Sequence, residues 1–256
     1  QPESSAASDV YKRQNLPSIK NFGKYGLESI AIIVSVLFSF YLEDLRVTNE
    51  KTNYKNELVK NLKAIINEDL INIQNIKELQ NRAYAGADLI INDMIDGKMD
   101  LDKKEIAENY LLVGQRGWVS FFPQNGSYTE LISTGSLELI RSTNFRKALT
   151  NTYTHLYERN LQVSRTIDDF FLDAFARYSP YILIQSTEKK NEGFVYSELV
   201  PTKYKIDENY YLSNQAISDM TQFKNLIGMY LDLLDEYEKS YNCLLYTSPS
   251  PRDWDE

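Results

Sequence analysis

Cysteine and histidine are almost absent from this 256-residue chain, which has one of each, Cys243 and His155. A disulfide framework is therefore excluded, and so is any metal site built on several Cys or His ligands. Glycine (10) and proline (7) are also scarce, which excludes a collagen-like repeat. No Gly-x-Gly-x-x-Gly, Gly-Lys-Ser/Thr or Gly-x-Ser-x-Gly run occurs, so neither a phosphate cradle nor a nucleophile elbow is signalled. Bases are outnumbered 28 to 36 and form no stripe, which argues against nucleic acid as a partner. What remains, 43% hydrophobic and 25% charged, suits a globular chain of one or two domains with a real core.

The two ends read differently from the middle. Ser4–Gln14 is SSAASDVYKRQ, and the chain closes with CLLYTSPSPRD from Cys243 to Asp253. Codons for Asp9–Gln14, reverse-complemented and shifted by one frame, encode Cys-Leu-Leu-Tyr-Thr-Ser, the residues from Cys243 to Ser248. One nucleotide element read in both orientations explains both ends, and it resembles the transposase adapter used to prepare sequencing libraries. Residues 1–14 and 243–256 are therefore expected to be artefactual tails outside the fold, with the reading frame truncated at both ends. Without them the net charge goes from −8 to −6 and no cysteine remains.

Tyr25–Leu42, YGLESIAIIVSVLFSFYL, is the one long apolar run. Its eighteen residues would rise about 27 Å as a helix, close to the ~30 Å hydrocarbon core of a bilayer. Ten of them are Leu, Ile, Val or Phe, which together favour insertion by roughly 3 to 6 kcal/mol, more than the early Glu28 opposes. A buried core helix would carry a polar face, and a cleaved signal peptide would end in small residues; the run shows neither. A transmembrane helix over 25–42 is the expectation. Lys20 and Lys24 precede it and Glu43 and Asp44 follow it. The positive-inside bias then makes 15–24 a cytoplasmic flank and 43–242 extracytoplasmic, which in a bacterium means an inner-membrane protein with a periplasmic bulk.

Past the span the pattern is helical. Leu58, Leu62, Ile65, Asp69/Leu70, Ile73, Ile76, Leu79, Ala83, Ala87, Ile90 and Met94 recur every three or four residues, which predicts a long amphipathic helix with a coiled-coil-like seam. Glu43–Lys55 has no Gly or Pro, so this helix continues the span, and Asp96-Gly97-Lys98 stops it. Asp102 and Glu105 form a capping box opening a helix to about Val113; Ser127 and Glu130 suggest a second box, with Gly135 closing its short helix. A further long helix runs from near Thr143, with the stripe Phe145, Leu149, Tyr153, Leu156, Val163, Ile167, Phe170, Phe171 and Ala174, and ends before Pro180. Gln185–Asp207 reads as loop with a short extended piece at Phe194–Leu199. The last helix carries Leu212, Ile217, Met220, Phe223, Ile227, Tyr230, Leu234 and Tyr237. The fold expected is all-α: an N-terminal transmembrane helix followed by an antiparallel bundle of long helices.

An acid early in a span, a charged helix directly after it, and a central Leu-x-x-x-Gly-x-Leu-x-Leu-Ile segment occur in one order. Here they are Glu28, the helix from Glu43, and Leu131–Ile140, followed by Phe145-Arg146-Lys147-Ala148-Leu149 and Tyr153. This order resembles an uncharacterised family of bacterial single-span membrane proteins, common in Bacteroidetes and of unknown function. The resemblance covers most of Lys20–Asn242. Glu43-Asp44-Leu45-Arg46 stands where that family has a Trp-containing polar segment. It implies a topology and no activity.

Chemistry is not signalled. His155 has only Glu158 one turn on, and a di-iron bundle would need two Glu-x-x-His helices. The pairs Glu68-Asp69, Asp168-Asp169 and Asp235-Glu236 point about 100° apart on a helix and read as solvated faces. No catalytic, cofactor-binding or metal-ligating residue and no cofactor are expected. The candidate site is the Gly/Pro-bounded stretch Arg116–Pro123, where Arg116, Trp118, Phe121 and Phe122 either line a ligand pocket or partner surface or plug the end of the core; the plug is the favoured reading. The function expected is a membrane-anchored bundle that binds or scaffolds and is not an enzyme. Its partners would be the lipid bilayer and another membrane or periplasmic protein, with oligomerisation possible through the long helix. A sensor-like ligand-binding bundle and a carboxylate-dependent hydrolase are the alternatives.

Overall fold

A computed structural model describes residues 19–189 and 198–247. The tail Gln1–Gln14 and residues 248–256 of the other expected tail lie outside the described residues. The chain divides into two compact units, residues 1–54 and 55–256. Helix α1 (Ile19–Asp96) supplies the described residues of the first and the opening helix of the second.

In the first unit no residue from Gly23 to Tyr54 is buried. The apolar run within it is long and apolar enough to cross a membrane, and none of it is covered by protein. Two of its three serine hydroxyls are satisfied inside the helix: Ser35 Oγ donates to Ala31 O (2.8 Å) and Ser39 Oγ to Ser35 O (2.9 Å). Just past it, Arg46 pairs with Glu43 (2.6 Å) and Glu50, one turn away on either side and all exposed.

The second unit is an all-α bundle with one small hairpin. After α1 come α2 (Lys103–Arg116), α3 (Gly126–Ser133), a 3₁₀ turn (Ser136–Leu139), α4 (Thr143–Thr150), a π-helical turn (Asn151–Leu156) and α5 (Tyr157–Tyr178). Strands β1 (Ile182–Lys189) and β2 (Glu198–Ile206), the single turn α6 (Glu208–Tyr211) and the long α7 (Asn214–Thr247) complete it. Side-chain bonds fix the direction of packing. Tyr241, Glu238 and Lys224 bond to Asp69, Lys77 and Asp88 in turn, so α7 descends as α1 ascends, and Tyr211 of α6 carries the series on to Asp93. Arg159 to Glu236 and Arg177 to Asp219 set α5 antiparallel to α7 as well. One continuous core lies between these three helices, and Tyr211, Tyr230, Tyr237, Tyr241, Phe121, Phe145 and Phe223 are its largest fully buried side chains.

Local signals placed several boundaries. Gly97 ends α1 at φ 66°, a left-handed conformation that glycine enters without a Cβ penalty. The Asp102 box is complete: Asp102 Oδ1 accepts from Glu105 N (2.8 Å) while Glu105 Oε2 accepts from Asp102 N (2.9 Å). The second box is not formed. Helix α3 starts at Gly126 behind Asn125 and has no side-chain cap. Gly135 does take φ 69°, closing α3 into the 3₁₀ turn.

The reading of Gln185–Asp207 as loop is corrected. Ile182–Lys189 pairs antiparallel with Glu198–Ile206, from Ile182↔Ile206 to Lys189↔Glu198. The Ile-Leu-Ile start of β1 suits a pleated, half-buried surface, with Ile182 buried and Leu183 exposed. Pro201, read as a breaker, sits beside the register shift opposite Gln185 and Ser186, where a missing N–H is tolerated. The extended piece expected at Phe194–Leu199 falls mostly on residues outside the described ones. Two further differences concern phase. Ile66, not Ile65, is the fully buried residue of its pair, and α7 begins after Leu212, which is exposed. Residues Cys243–Thr247, set aside on sequence grounds, continue α7, and Leu244 is buried in phase with Tyr237 and Tyr241.

Replacing Asp102 by Ala removes the acceptor shared by the Lys104 and Glu105 backbone N–H groups at the start of α2. A loss of about 1 kcal/mol is expected, read as a melting temperature lower by about 2 to 4 °C.

Candidate interaction loop

The α2–α3 connection is drawn inward by two glycines. A Cβ on Gly117 would lie 2.7 Å from Val113 O, 2.9 Å from Ile227 Cδ1 and 3.0 Å from Phe171 Cζ. One on Gly114 would meet the Tyr178 hydroxyl at 2.5 Å. Only bare backbone lets α2 end this close to α5 and α7.

Beyond Gly117 the main chain is held by polar side chains from all three long helices. Gln80 Nε2 of α1 donates to Val119 O (2.7 Å), and Asn160 Nδ2 of α5 donates to Phe121 O (2.8 Å). The Phe121 N–H donates to the Tyr230 hydroxyl of α7, which lies 3.4 Å from Asn160 Oδ1. Asp69 Oδ2 accepts from Gln124 N (3.2 Å) and from the Tyr241 hydroxyl (2.8 Å), while its Oδ1 accepts from Gln124 Nε2 (3.3 Å). Gln80 and Asn160 are wholly buried and Asp69 is 1% exposed. Backbone groups carried this deep need such partners, since each unmet one costs about 1 to 3 kcal/mol. Burial pushes the Asp69 carboxyl above its ordinary value; the bonds from Tyr241 and Gln124 pull it back in part.

The four sequence candidates therefore separate. Phe121 is fully buried, edge-on to Tyr237 (5.3 Å between centroids) and Tyr241 (6.4 Å). Trp118 is 44% exposed and Phe122 63% exposed, with Arg116 half-buried. The Trp118 indole N–H donates to Gln115 O (3.1 Å), which lays the ring over the end of α2. There it borders a groove of about 340 Å³ shared with Arg116, Leu172 and Phe175, the last two 67% and 50% exposed. One loop thus supplies both a core plug and an exposed apolar rim.

The solvated-face reading of the acid pairs is also corrected in part. Asp69 faces the core and only Glu68 is exposed. Asp235 pairs with Lys77 (2.6 Å) and Glu236 with Arg159 (3.0 Å) across helices. Asp168 is half-buried, which together with the Asp169 charge raises its carboxyl. Two further buried acids are structural. Asp93 accepts from Leu101 N and the Tyr211 hydroxyl, and Asp219 takes the Arg177 guanidinium. His155 is exposed on the π-helical turn. Among the described residues no group of three His, Cys, Asp or Glu side chains stands where it could hold a metal ion.

Asn160, Gln80 and Asp69 were not singled out as functional in the sequence. The signal was phase alone: Leu156, Asn160, Ser164, Ile167 and Phe171 form one unbroken three-four series, polar at its middle.

Phe121→Ala should cost about 3 to 5 kcal/mol, as for a fully buried aromatic. Trp118→Ala should cost less than about 1 kcal/mol, since nearly half the ring is already wet; paired urea melts compare the two. Asp69→Asn keeps an acceptor for Tyr241 and Gln124 N once the Gln124 amide turns over. Because the folded carboxyl sits above its unfolded value, ionisation opposes folding, and that penalty grows as pH rises above about 4. The variant should gain on the wild type at pH 7 and lose that advantage towards pH 4, measured by urea melts across the range.

No curated protein and no solved structure matches the chain. Residues 28–176 match DUF6090, a family of unknown function, over more than half of the sequence and across the whole α2–α3 loop. The chain belongs to this family.

Proposed function

We propose that this protein is a membrane-anchored helical bundle of the bacterial inner membrane, with its N-terminus cytoplasmic and its bulk periplasmic, which binds or scaffolds a partner rather than catalysing a reaction. The observation that carries the anchor is the bareness of the first unit. Ile30, Ile32, Ile33, Val34, Leu37, Phe38 and Phe40 are all more than half exposed, with no protein surface over them. Contiguous apolar area of that size is strongly disfavoured in water at about 25 cal/mol per Å² and favoured in hydrocarbon. Tyr25 and Tyr41 bracket the run as interfacial aromatics do, and the Ser35 and Ser39 hydroxyls are already bonded to their own helix. Lys20 and Lys24 before it and Glu43 and Asp44 after it support the orientation.

The binding reading rests on the rim of the α2–α3 loop. Trp118, Leu172 and Phe175 leave an apolar groove edged by Arg116, a composition enriched where proteins meet. Its occupant, on this reading, is an apolar side chain of another membrane or periplasmic protein.

Alkaline carbonate should leave the protein in the membrane pellet, and its release into the supernatant would refute the anchor. Protease added to spheroplasts should digest the residues after Glu43, whereas protection of that part would reverse the orientation. Crosslinked partners recovered with wild type should be lost with Trp118→Ala at unchanged melting temperature.

A further inference from the structure

Away from the loop, a second concavity of about 620 Å³ opens beside the π-helical turn. Helix α4 and that turn present Thr143, Arg146, Lys147, Thr150, Asn151 and His155 to it. Asn151 and His155 stand four residues apart, as on any α-helical face, but Thr150 and His155 stand five apart, the π spacing. In a regular α-helix two such residues would stand about 140° apart. The widened turn brings them round to one face, and π turns inside helices are concentrated at functional sites.

Apart from Leu137 and Glu138, this lining is donor chemistry. Guanidinium, ammonium, imidazole N–H, two hydroxyls and a carboxamide are all donors to oxygen. Lys147 and His155 have no partner among the described residues, although the chain as a whole carries net −8. The single acid is Glu138, whose Oε2 lies 3.2 Å from Arg146 Nη1. Its side chain is 82% exposed on the 3₁₀ turn, so it is a screened and easily displaced occupant. We propose that the π-turn concavity binds a phosphate group, held by Arg146, Lys147 and His155 with Thr143, Thr150 and Asn151 completing its oxygen contacts, and that Glu138 is the internal anion it displaces. A soluble phosphate and a phosphomonoester lipid headgroup share this chemistry.

The sole histidine makes the site directly observable, because its imidazole gives one unobstructed NMR signal. The full chain in uncharged detergent is titrated with inorganic phosphate at constant ionic strength, and separately with phosphatidic acid or phosphatidylcholine mixed into the micelles. A saturable shift with phosphate, absent with sodium chloride, assigns a soluble ligand; a shift with phosphatidic acid alone assigns a headgroup. Either way, Lys147→Gln or Arg146→Gln should weaken binding about tenfold by removing a charge-assisted contact, and Glu138→Gln should tighten it a few-fold. Lys147 is exposed, so its replacement leaves the fold intact. No saturable shift with either probe, or an equal shift in Lys147→Gln, overturns the proposal.

Discussion

The bundle depends on a length of irregular backbone being carried into its centre and fully satisfied there. The Phe121 amide and carbonyl sit among aromatic rings, where water cannot reach them, and Tyr230 and Asn160 bond both. Asp69 does the same for Gln124 and holds the Tyr241 hydroxyl in place. Removing any of these side chains strands several groups at once, since each belongs to one network that joins α1, α5 and α7 through the loop. An apolar core would hold the helices together without telling them which residues to align. The polar contacts supply that registry by tying position 69 to 241 and 160 to 121.

Tyrosine recurs in this arrangement for a physical reason. The ring fills core volume as phenylalanine does, and at Tyr211, Tyr230 and Tyr241 the hydroxyl also reaches a buried acid or amide, whereas that of Tyr237 is buried without a hydrogen-bond partner among the described residues. Tyr211 serves Asp93, Tyr241 serves Asp69 and Tyr230 serves Phe121. Burial raises the hydroxyls of Tyr211, Tyr230 and Tyr241 above their ordinary values, so they remain protonated donors. At Tyr211 and Tyr241 desolvation and the bond to the carboxylate work in the same direction, whereas the bond that Tyr230 accepts from the Phe121 N–H opposes the effect of its burial.

What could be read in the sequence was whatever is decided within a few residues. The Asp102–Glu105 box, the left-handed stops at Gly97 and Gly135, the apolar run after Lys24 and the stripe from Leu58 to Met94 all rest on local spacing. The hairpin could not be read that way. Ile182 and Ile206 become partners only across an intervening stretch, and Pro201 argued against a strand until its place beside a bulge was known. The loop was half legible. Its aromatics announced importance, yet nothing in Trp118-Val119-Ser120-Phe121-Phe122 says which ring turns inward, because that is fixed by Asn160 and Tyr230 from distant helices. Asp69, paired with Glu68, was misread as a solvated face although it sits in phase with its apolar neighbours; Asn160, equally in phase, carried no reading in the sequence.

The π-helical turn between α4 and α5 has a consequence for how this gene can change length. Taking one residue out of Asn151–Leu156 would restore ideal α-helical hydrogen bonding across the junction, so the local backbone would accept the deletion. Because the widened turn already absorbs the extra residue, the helix beyond it would keep close to its present phase, with Asn160 still toward the Phe121 carbonyl and Arg177 toward Asp219; the same deletion within the regular part of α5 would rotate everything beyond it by about 100°. The widened turn is thus a place where this helix can lose a residue and keep its tertiary registry.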